Sequence, residues 1–191
     1  MYQDPALRIN REGGRKAEYG YLLLNADRAC DLKMIEYTPI GVIHSPFKKL
    51  EGMPIQPAGA AGIKGRVEVF EDFREGLLDL DGFSHIILLY HFHQSRGFHL
   101  KVVPFLDSRQ RGLFATRAPR RPNPIGLSVV RLDRIEEGVL HIENVDILDG
   151  TPLLDIKPYV HEFDMQTDVR TGWLEKTRMT VSDRKSDGRF K

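Results

Sequence analysis

The segment from Phe114 to Ser128, Phe-Ala-Thr-Arg-Ala-Pro-Arg-Arg-Pro-Asn-Pro-Ile-Gly-Leu-Ser, constrains this chain more than any other. Pro119, Pro122, Pro124 and Gly126 are interleaved with Arg117, Arg120 and Arg121. Proline fixes φ and has no backbone N–H to donate, so Arg-Pro-Asn-Pro-Ile-Gly cannot continue a helix or lie in a central strand. A rigid turn between two strands accounts for the prolines and for Gly126. It does not account for the guanidinium groups held on the turn. Arginines on a rigid loop beside strand ends make a preformed site for a carboxylate, a phosphate or an aromatic ring.

Around this loop the sequence reads as strands. Apolar runs bounded by Gly, Pro and Asp predict them over Gly65–Glu71, Phe83–His93, His99–Phe105, Gly112–Arg117, Leu127–Ile135 and Val139–Ile147. Ile35–His44, broken by Pro39 and Gly41, has the same texture. Glu136-Glu137-Gly138 reads as a hairpin turn. Glu71–Leu80 reads as one short helix, with Phe73, Leu77, Leu78 and Leu80 roughly on one face. Many strands and one clear helix give a mainly β fold: a small, mostly antiparallel β-barrel with one or two short helices and extended termini. There is no strand–helix alternation and no Gly-x-Gly-x-x-Gly, which argues against a dinucleotide-binding sheet. Residues 1–33 are polar and irregular and read as a flexible N-terminal extension, with Met34 an alternative start. Residues 34–160 carry the barrel, and 161–191 form a C-terminal extension.

A length of 191 residues, 41% apolar and 29% charged, fits one main domain. The single cysteine, Cys30, excludes an intramolecular disulfide and a multi-cysteine metal site. The early apolar run Tyr21–Leu24 is too short for a signal-peptide core, and nothing approaches a membrane span, so the expectation is a cytoplasmic protein. The net charge of +1 names no partner, but its distribution is uneven. Arg96, Lys101, Arg109, Arg111, Arg117, Arg120 and Arg121 face only Asp107 within their stretch, whereas Glu136 to Asp168 is acidic apart from Lys157. The basic stretch is either an ordinary solvated face or a lip for a polyanion.

Two further constellations carry chemistry. His91 and His93 would share a face of a strand, because side chains repeat every second residue. Two histidines without a third ligand are a weak metal signal, and their place beside Gln94 suits hydrogen bonding to a ligand better. Further on, Leu148-Asp149-Gly150-Thr151-Pro152 reads as a turn. Its exposed amides and carboxylate could hold ribose hydroxyls or an ammonium group.

Together these pieces resemble the TsaA-like family, also called TrmO or YaeB-like. The landmarks are Pro39-Ile40-Gly41-Val42-Ile43-His44-Ser45-Pro46-Phe47, His93-Gln94, Thr116-Arg117 through Pro122-Asn123-Pro124-Ile125-Gly126, and Asp149-Gly150-Thr151-Pro152 with Asp155-Ile156-Lys157-Pro158-Tyr159. The resemblance implies an S-adenosylmethionine-dependent methyltransferase built on a β-barrel and acting as a homodimer. Its substrate would be N6 of threonylcarbamoyladenosine at position 37 of tRNA, with the anticodon stem-loop as partner. By the same resemblance the cofactor-binding positions are Gln56, Pro57, His93, Gln94, Arg117, Leu127, Leu148, Asp149, Gly150 and Thr151. Arg121 and Asn123 would face cofactor or substrate, and basic residues such as Arg109 and Arg111 would meet RNA phosphates.

The chain departs from the family pattern at Ala118, where serine is common, and at Arg120, where histidine is common. The residues after Tyr159 do not look like the longer C-terminal domain of the bacterial members, although their tail is basic (Lys176, Arg178, Arg184, Lys185, Arg189 and Lys191 against Asp183 and Asp187). A urea-like N6 is a poor nucleophile, so a base should take its proton during attack. The sequence leaves that base open, with Tyr159, Asp155 and His44 as candidates. Two rival readings also stay open: a methyltransferase for another nucleoside or a small molecule, and a barrel that binds RNA or a nucleotide without catalysis.

Overall fold

The computed structural model describes residues 35–176 and 184–190, and Tyr37 onward forms one compact unit. The strands are β1 (Gly41–His44), β2 (Lys64–Val69), β3 (His85–His91), β4 (Lys101–Val102), β5 (Arg111–Gly112), β6 (Ile125–Glu136), β7 (Val139–Glu143) and β8 (Thr151–Pro158). Six of them close a barrel in the order β1-β2-β7-β6-β3-β8, with every neighbouring pair antiparallel. Closure leaves the barrel no free sheet edge. The β4–β5 pair stands apart as a small ribbon.

Alternation sets the core. Ile86, Leu88 and Tyr90 of β3 point inward, as do Ser128, Val130 and Leu132 of β6, and they pack with Ile43, Val67, Leu140, Ile142 and Leu153. The β6–β7 connection at Glu137-Gly138 places both residues at positive φ, 49° and 83°, the geometry of a two-residue hairpin. The expected hairpin is therefore present.

Several boundaries differ from the sequence reading, each for a physical reason. The expected helix over Glu71–Leu80 is instead two short 3-10 turns, Glu71–Leu77 and Leu80–Gly82. Asp79 between them has φ 63°, outside any right-handed helix, and none of the first turn's residues is fully buried. With only Leu77 packed on the core, so short a helix gains little from packing. The strand expected over Ile35–His44 begins only at Gly41, after Pro39. Those over His99–Phe105 and Gly112–Arg117 shrink to β4 and β5, followed by a 3-10 turn at Leu113–Ala115. The strand expected over Val139–Ile147 stops at Glu143, where Asn144 takes φ 68°. In return, the segment read as a turn at Thr151-Pro152 opens a full strand, β8. Its two prolines sit near its ends, where the missing N–H is tolerated. His91 ends β3 and the chain turns immediately, the His93 N–H donating to the His91 carbonyl at 2.8 Å, so the two histidines do not share a strand face. The expectations for residues 1–33 concern residues outside those described.

Candidate cofactor and active site

The rigid arginine loop lies at the mouth of the barrel beside a cavity of about 820 Å³. Volumes of this size accommodate a nucleoside-sized ligand. Gln56, Arg117, Arg121 and Leu127 line it, with Tyr90, Phe92, Phe114 and Asp146. A smaller chamber of about 110 Å³ adjoins it and is lined by His93, Gln94, Leu148 and Thr151. Leu50, Met53, Tyr90, Phe92, Pro119, Asp146 and Phe190 line both chambers.

Folding brings together residues that lie far apart in sequence. Arg117 donates through Nη1 to Gln56 Oε1 at 2.8 Å, joining two positions 61 residues apart. Thr151 Oγ1 donates to the Leu148 carbonyl at 2.7 Å and lies 3.4 Å from His93 Nδ1. Burial, reinforced by the neighbouring His91 ring, holds the His93 ring below its usual range. The neutral imidazole this favours can donate from one nitrogen and accept at the other.

Other expected positions have structural partners. Arg121 Nη1 donates to the Thr116 carbonyl at 3.1 Å, and its guanidinium lies 5.7 Å from the Phe114 ring centre, so it braces the loop on which it sits. The Asp149 carboxylate meets Lys48 Nζ at 2.6 Å and accepts from the Ser45 N–H at 3.0 Å, with His44 Nδ1 at 3.7 Å. Lys48 above all holds that carboxyl below its usual range. Arg111 is clamped to Asp107 at 2.6 Å and lies 5.5 Å from the Trp173 ring centre. Arg109 is exposed, and only its backbone N–H is tied to Asp107. Pro57, Asn123 and Gly150 line neither chamber. Asp155 pairs with Lys157, while Tyr159 meets the His85 ring at 6.4 Å, far from the chambers in register.

Ala118 is buried against Val102 and Leu113, with Phe190 packed on them, so a small apolar side chain is satisfied there. The C-terminal segment walls the cleft. Trp173 Nε1 donates to the Ala115 carbonyl at 2.8 Å, and Phe190 packs edge-on against Phe105 at 5.1 Å. Arg189 is turned inward, donating to the Pro104 carbonyl at 2.8 Å and pairing with Asp187. Arg178, Asp183 and Lys191 lie outside the described residues.

The sequence reading missed Asp146. Its Oδ1 accepts from Ser128 Oγ at 2.7 Å, and Tyr90 Oη lies 3.0 Å from the same Ser128 oxygen. Burial pushes the Asp146 carboxyl up to about 6, against the opposing pull of Ser128 and Arg117. Burial also raises the Tyr90 phenol, which therefore keeps its proton. The order of donation follows: the Tyr90 O–H donates a hydrogen bond to Ser128 Oγ, and the Ser128 O–H donates to Asp146 Oδ1. The only sequence signal was an acidic residue between apolar Val145 and Ile147, which also occurs on solvent-facing strands.

The residues suit S-adenosylmethionine. Arg117 and Gln56 can meet its carboxylate and polar groups, Phe92, Leu127 and Met53 supply apolar walls, and the half-buried carboxylate of Asp146 offers an acceptor.

Residues 42–165 match the model of the tRNA-methyltransferase O N-terminal domain. A relative from Pyrococcus abyssi, named as a probable S-adenosyl-L-methionine-binding protein, is 57% identical over 157 residues, covering 82% of this chain and 85% of its own length. The human tRNA (adenine(37)-N6)-methyltransferase is 36% identical over 69% of this chain, which spans 31% of that enzyme. The crystal structure of TrmO from Pseudomonas aeruginosa superposes with a TM-score of 0.63 at 41% identity, covering 74% of this chain and 63% of that one. The chain thus spans less than two thirds of the human enzyme and of this solved structure. With the closed barrel, the arginine loop and the matched domain in agreement, the chain belongs to the tRNA-methyltransferase O family.

Proposed function

We propose that this protein uses S-adenosylmethionine to methylate N6 of threonylcarbamoyladenosine at position 37 of tRNA, acting in the cytoplasm as a homodimer. The observation that carries the reading is the pair of adjoining chambers at the barrel mouth. Seven of the ten expected cofactor positions line them: Gln56, His93, Gln94, Arg117, Leu127, Leu148 and Thr151.

When bound, S-adenosylmethionine supplies a methyl group already activated on a sulfonium. The protein's part is to orient and to exclude water, and positioning supplies much of the acceleration in such transfers. Arg117 and Gln56 hold polar groups at one side of the cleft. His93, Leu148 and Thr151 shape the smaller chamber, and Phe92 with Phe190 keeps the shared wall apolar. Arg109, which is exposed, would meet RNA phosphates.

Exposed apolar residues beside the cleft, Phe114 at 73% and Leu127 at 47%, support the presence of a second copy of the chain there. Among the described residues no helix is long and apolar enough to cross a membrane.

The test is a thermal shift with S-adenosylmethionine followed by mass spectrometry of tRNA nucleosides after incubation. A raised melting temperature and a new methylated threonylcarbamoyladenosine are expected. Cofactor binding without any tRNA product would move the substrate to another nucleoside or small molecule. No melting shift at millimolar cofactor would leave only a binding barrel.

A further inference from the structure

We propose that Asp146 is the general base of the transfer, accepting the proton of the attacking substrate nitrogen, with Ser128 and Tyr90 as positioning residues. This assignment rests on the methyltransferase reading above.

Three observations meet at this carboxylate. First, its place: Asp146 lines both chambers, so it stands where a group bound in one meets a group bound in the other. Second, its partners: Oδ1 is fixed by Ser128 Oγ at 2.7 Å, and Ser128 is fixed in turn by Tyr90 at 3.0 Å. That chain holds the carboxylate in one orientation. Third, its surroundings: among the described residues, no lysine, arginine or histidine forms an ion pair with it. A half-buried acid without a paired cation is costly to keep charged, and such groups cluster at functional sites.

The candidates first considered are occupied. His44 lies beside Asp149 and Glu68, Asp155 pairs with Lys157, and Tyr159 stands against His85. The titratable and charged groups that share the chambers with Asp146 are Tyr90 from β3, His93 just after it, Arg117 and Arg121 from the rigid loop, and Asp187 from the C-terminal segment. Of these, Arg117 favours the charged form of Asp146, and burial outweighs it.

The step balances. The attacking nitrogen gains a bond to the methyl carbon, and the carbon–sulfur bond breaks with its electron pair left on sulfur. The proton of the nitrogen passes to a carboxylate oxygen of Asp146. A base with a midpoint slightly below neutral is largely ionised at pH 7 and still strong enough to accept a proton in the transition state.

The test combines a titration with kinetics. In the protein without cofactor, the carboxyl carbon resonance of Asp146 is followed by nuclear magnetic resonance between pH 4 and pH 8. A midpoint near 6 is expected, absent in Asp146→Asn and moved upward in Ser128→Ala, which removes a hydrogen bond to the charged form. Single-turnover methylation of tRNA by the parent should rise with pH through the same midpoint, and the rise should move with it in Ser128→Ala. Asp146→Asn should lose at least about 100-fold in rate while keeping its affinity for S-adenosylmethionine. An active Asp146→Asn protein, or a pH limb that survives in it, overturns the assignment alone. So does a loss of cofactor affinity that matches the loss of rate, which would make Asp146 a cofactor contact. A parent that transfers no methyl group to tRNA overturns the tRNA reading, and the base goes with it.

Discussion

Two aspartates three residues apart, Asp146 and Asp149, sit on opposite sides of one connection and behave in opposite ways. Asp146 faces the chambers, half-buried with the Ser128 hydroxyl as its side-chain partner, and desolvation lifts its carboxyl to about 6. Asp149 faces the outer turn, where Lys48, the Ser45 N–H and His44 surround it, and its carboxyl falls below the ordinary 3.8. The residue type is the same, and the neighbours decide. The outer aspartate fastens the turn that follows β7 to the segment after β1. The inner one is held at a cost in stability, as is common for groups retained for chemistry.

Unseating the inner network should have the largest effect. A Cβ built on Gly126 runs into the ring of Tyr90, which lies across it because Tyr90 and Gly126 are register partners. Tyr90 is buried in the core and cannot swing aside. Gly126→Ala should cost about 1–3 kcal/mol, the usual range for overpacking, and displace the Tyr90–Ser128–Asp146 chain. Chemical denaturation reads the first effect and loss of methyl transfer the second. An unchanged denaturation midpoint would show that the ring has room to move.

Next is Asp146→Asn, which should make the protein more stable at pH 7.5, by on the order of 2 kcal/mol. The sign follows from a native carboxyl raised above its unfolded value. The parent's stability is highest below pH 3.8 as far as this group is concerned, and is lost as the pH climbs to about 6. Asparagine removes the cost of the buried charge, so the melting temperature of the variant should lose this part of its pH dependence. A destabilised Asp146→Asn protein at pH 7.5 would mean the carboxylate is better partnered than the geometry indicates.

Arg117 links the comparison to the cofactor. Arg117→Ala should weaken S-adenosylmethionine binding by about 1.5–3 kcal/mol, the range for charge-assisted hydrogen bonds, without unfolding the protein. It should also raise the Asp146 midpoint further, because a favourable cation is gone. Calorimetry with an unchanged affinity would remove Arg117 from the site.

Asp149→Asn should cost less, about 1 kcal/mol, since Lys48 is well exposed and exposed pairs contribute little. Here the sign reverses. The stability is present above pH 3.8 and is lost as the pH falls through the lower native value. Melting curves at pH 3 and pH 7 should therefore converge on the Asn variant only at the acid end.

The smallest effect on folding separates two arginines of the basic stretch. Arg109→Glu should leave stability nearly unchanged and weaken tRNA binding with a flatter salt dependence. Arg111→Glu breaks the clamp on Asp107 and the contact with Trp173, so it should lower the melting temperature as well. If the two variants melt alike, the clamp contributes little.

Much of this was legible in the chain. Pro119, Pro122 and Pro124 dictate a rigid loop wherever they occur, Glu137-Gly138 supplies a hairpin, and the alternation in β3 and β6 marks two barrel strands, because these signals act within a few residues. The family motifs also pointed to Gln56 and Arg117, which the fold joins. Other features depended on distant partners. The start of β8 reads as a turn and the rest does not read as a strand, since Pro152 and Pro158 obscure a strand whose existence depends on pairing with β1 and β3. The expected helix at Glu71 failed because Asp79 takes a left-handed φ and Phe73 and Leu78 stay exposed while Leu77 and Leu80 pack on the core, a split that local periodicity cannot show. Trp173 and Phe190 came from a tail whose sequence looked only basic and polar. Above all, Asp146 could not be distinguished from Asp149 by type or spacing. Burial and the register that sets Ser128 beside it are properties of the closed barrel, so the fold alone decided which aspartate carries a raised carboxyl at the chamber wall.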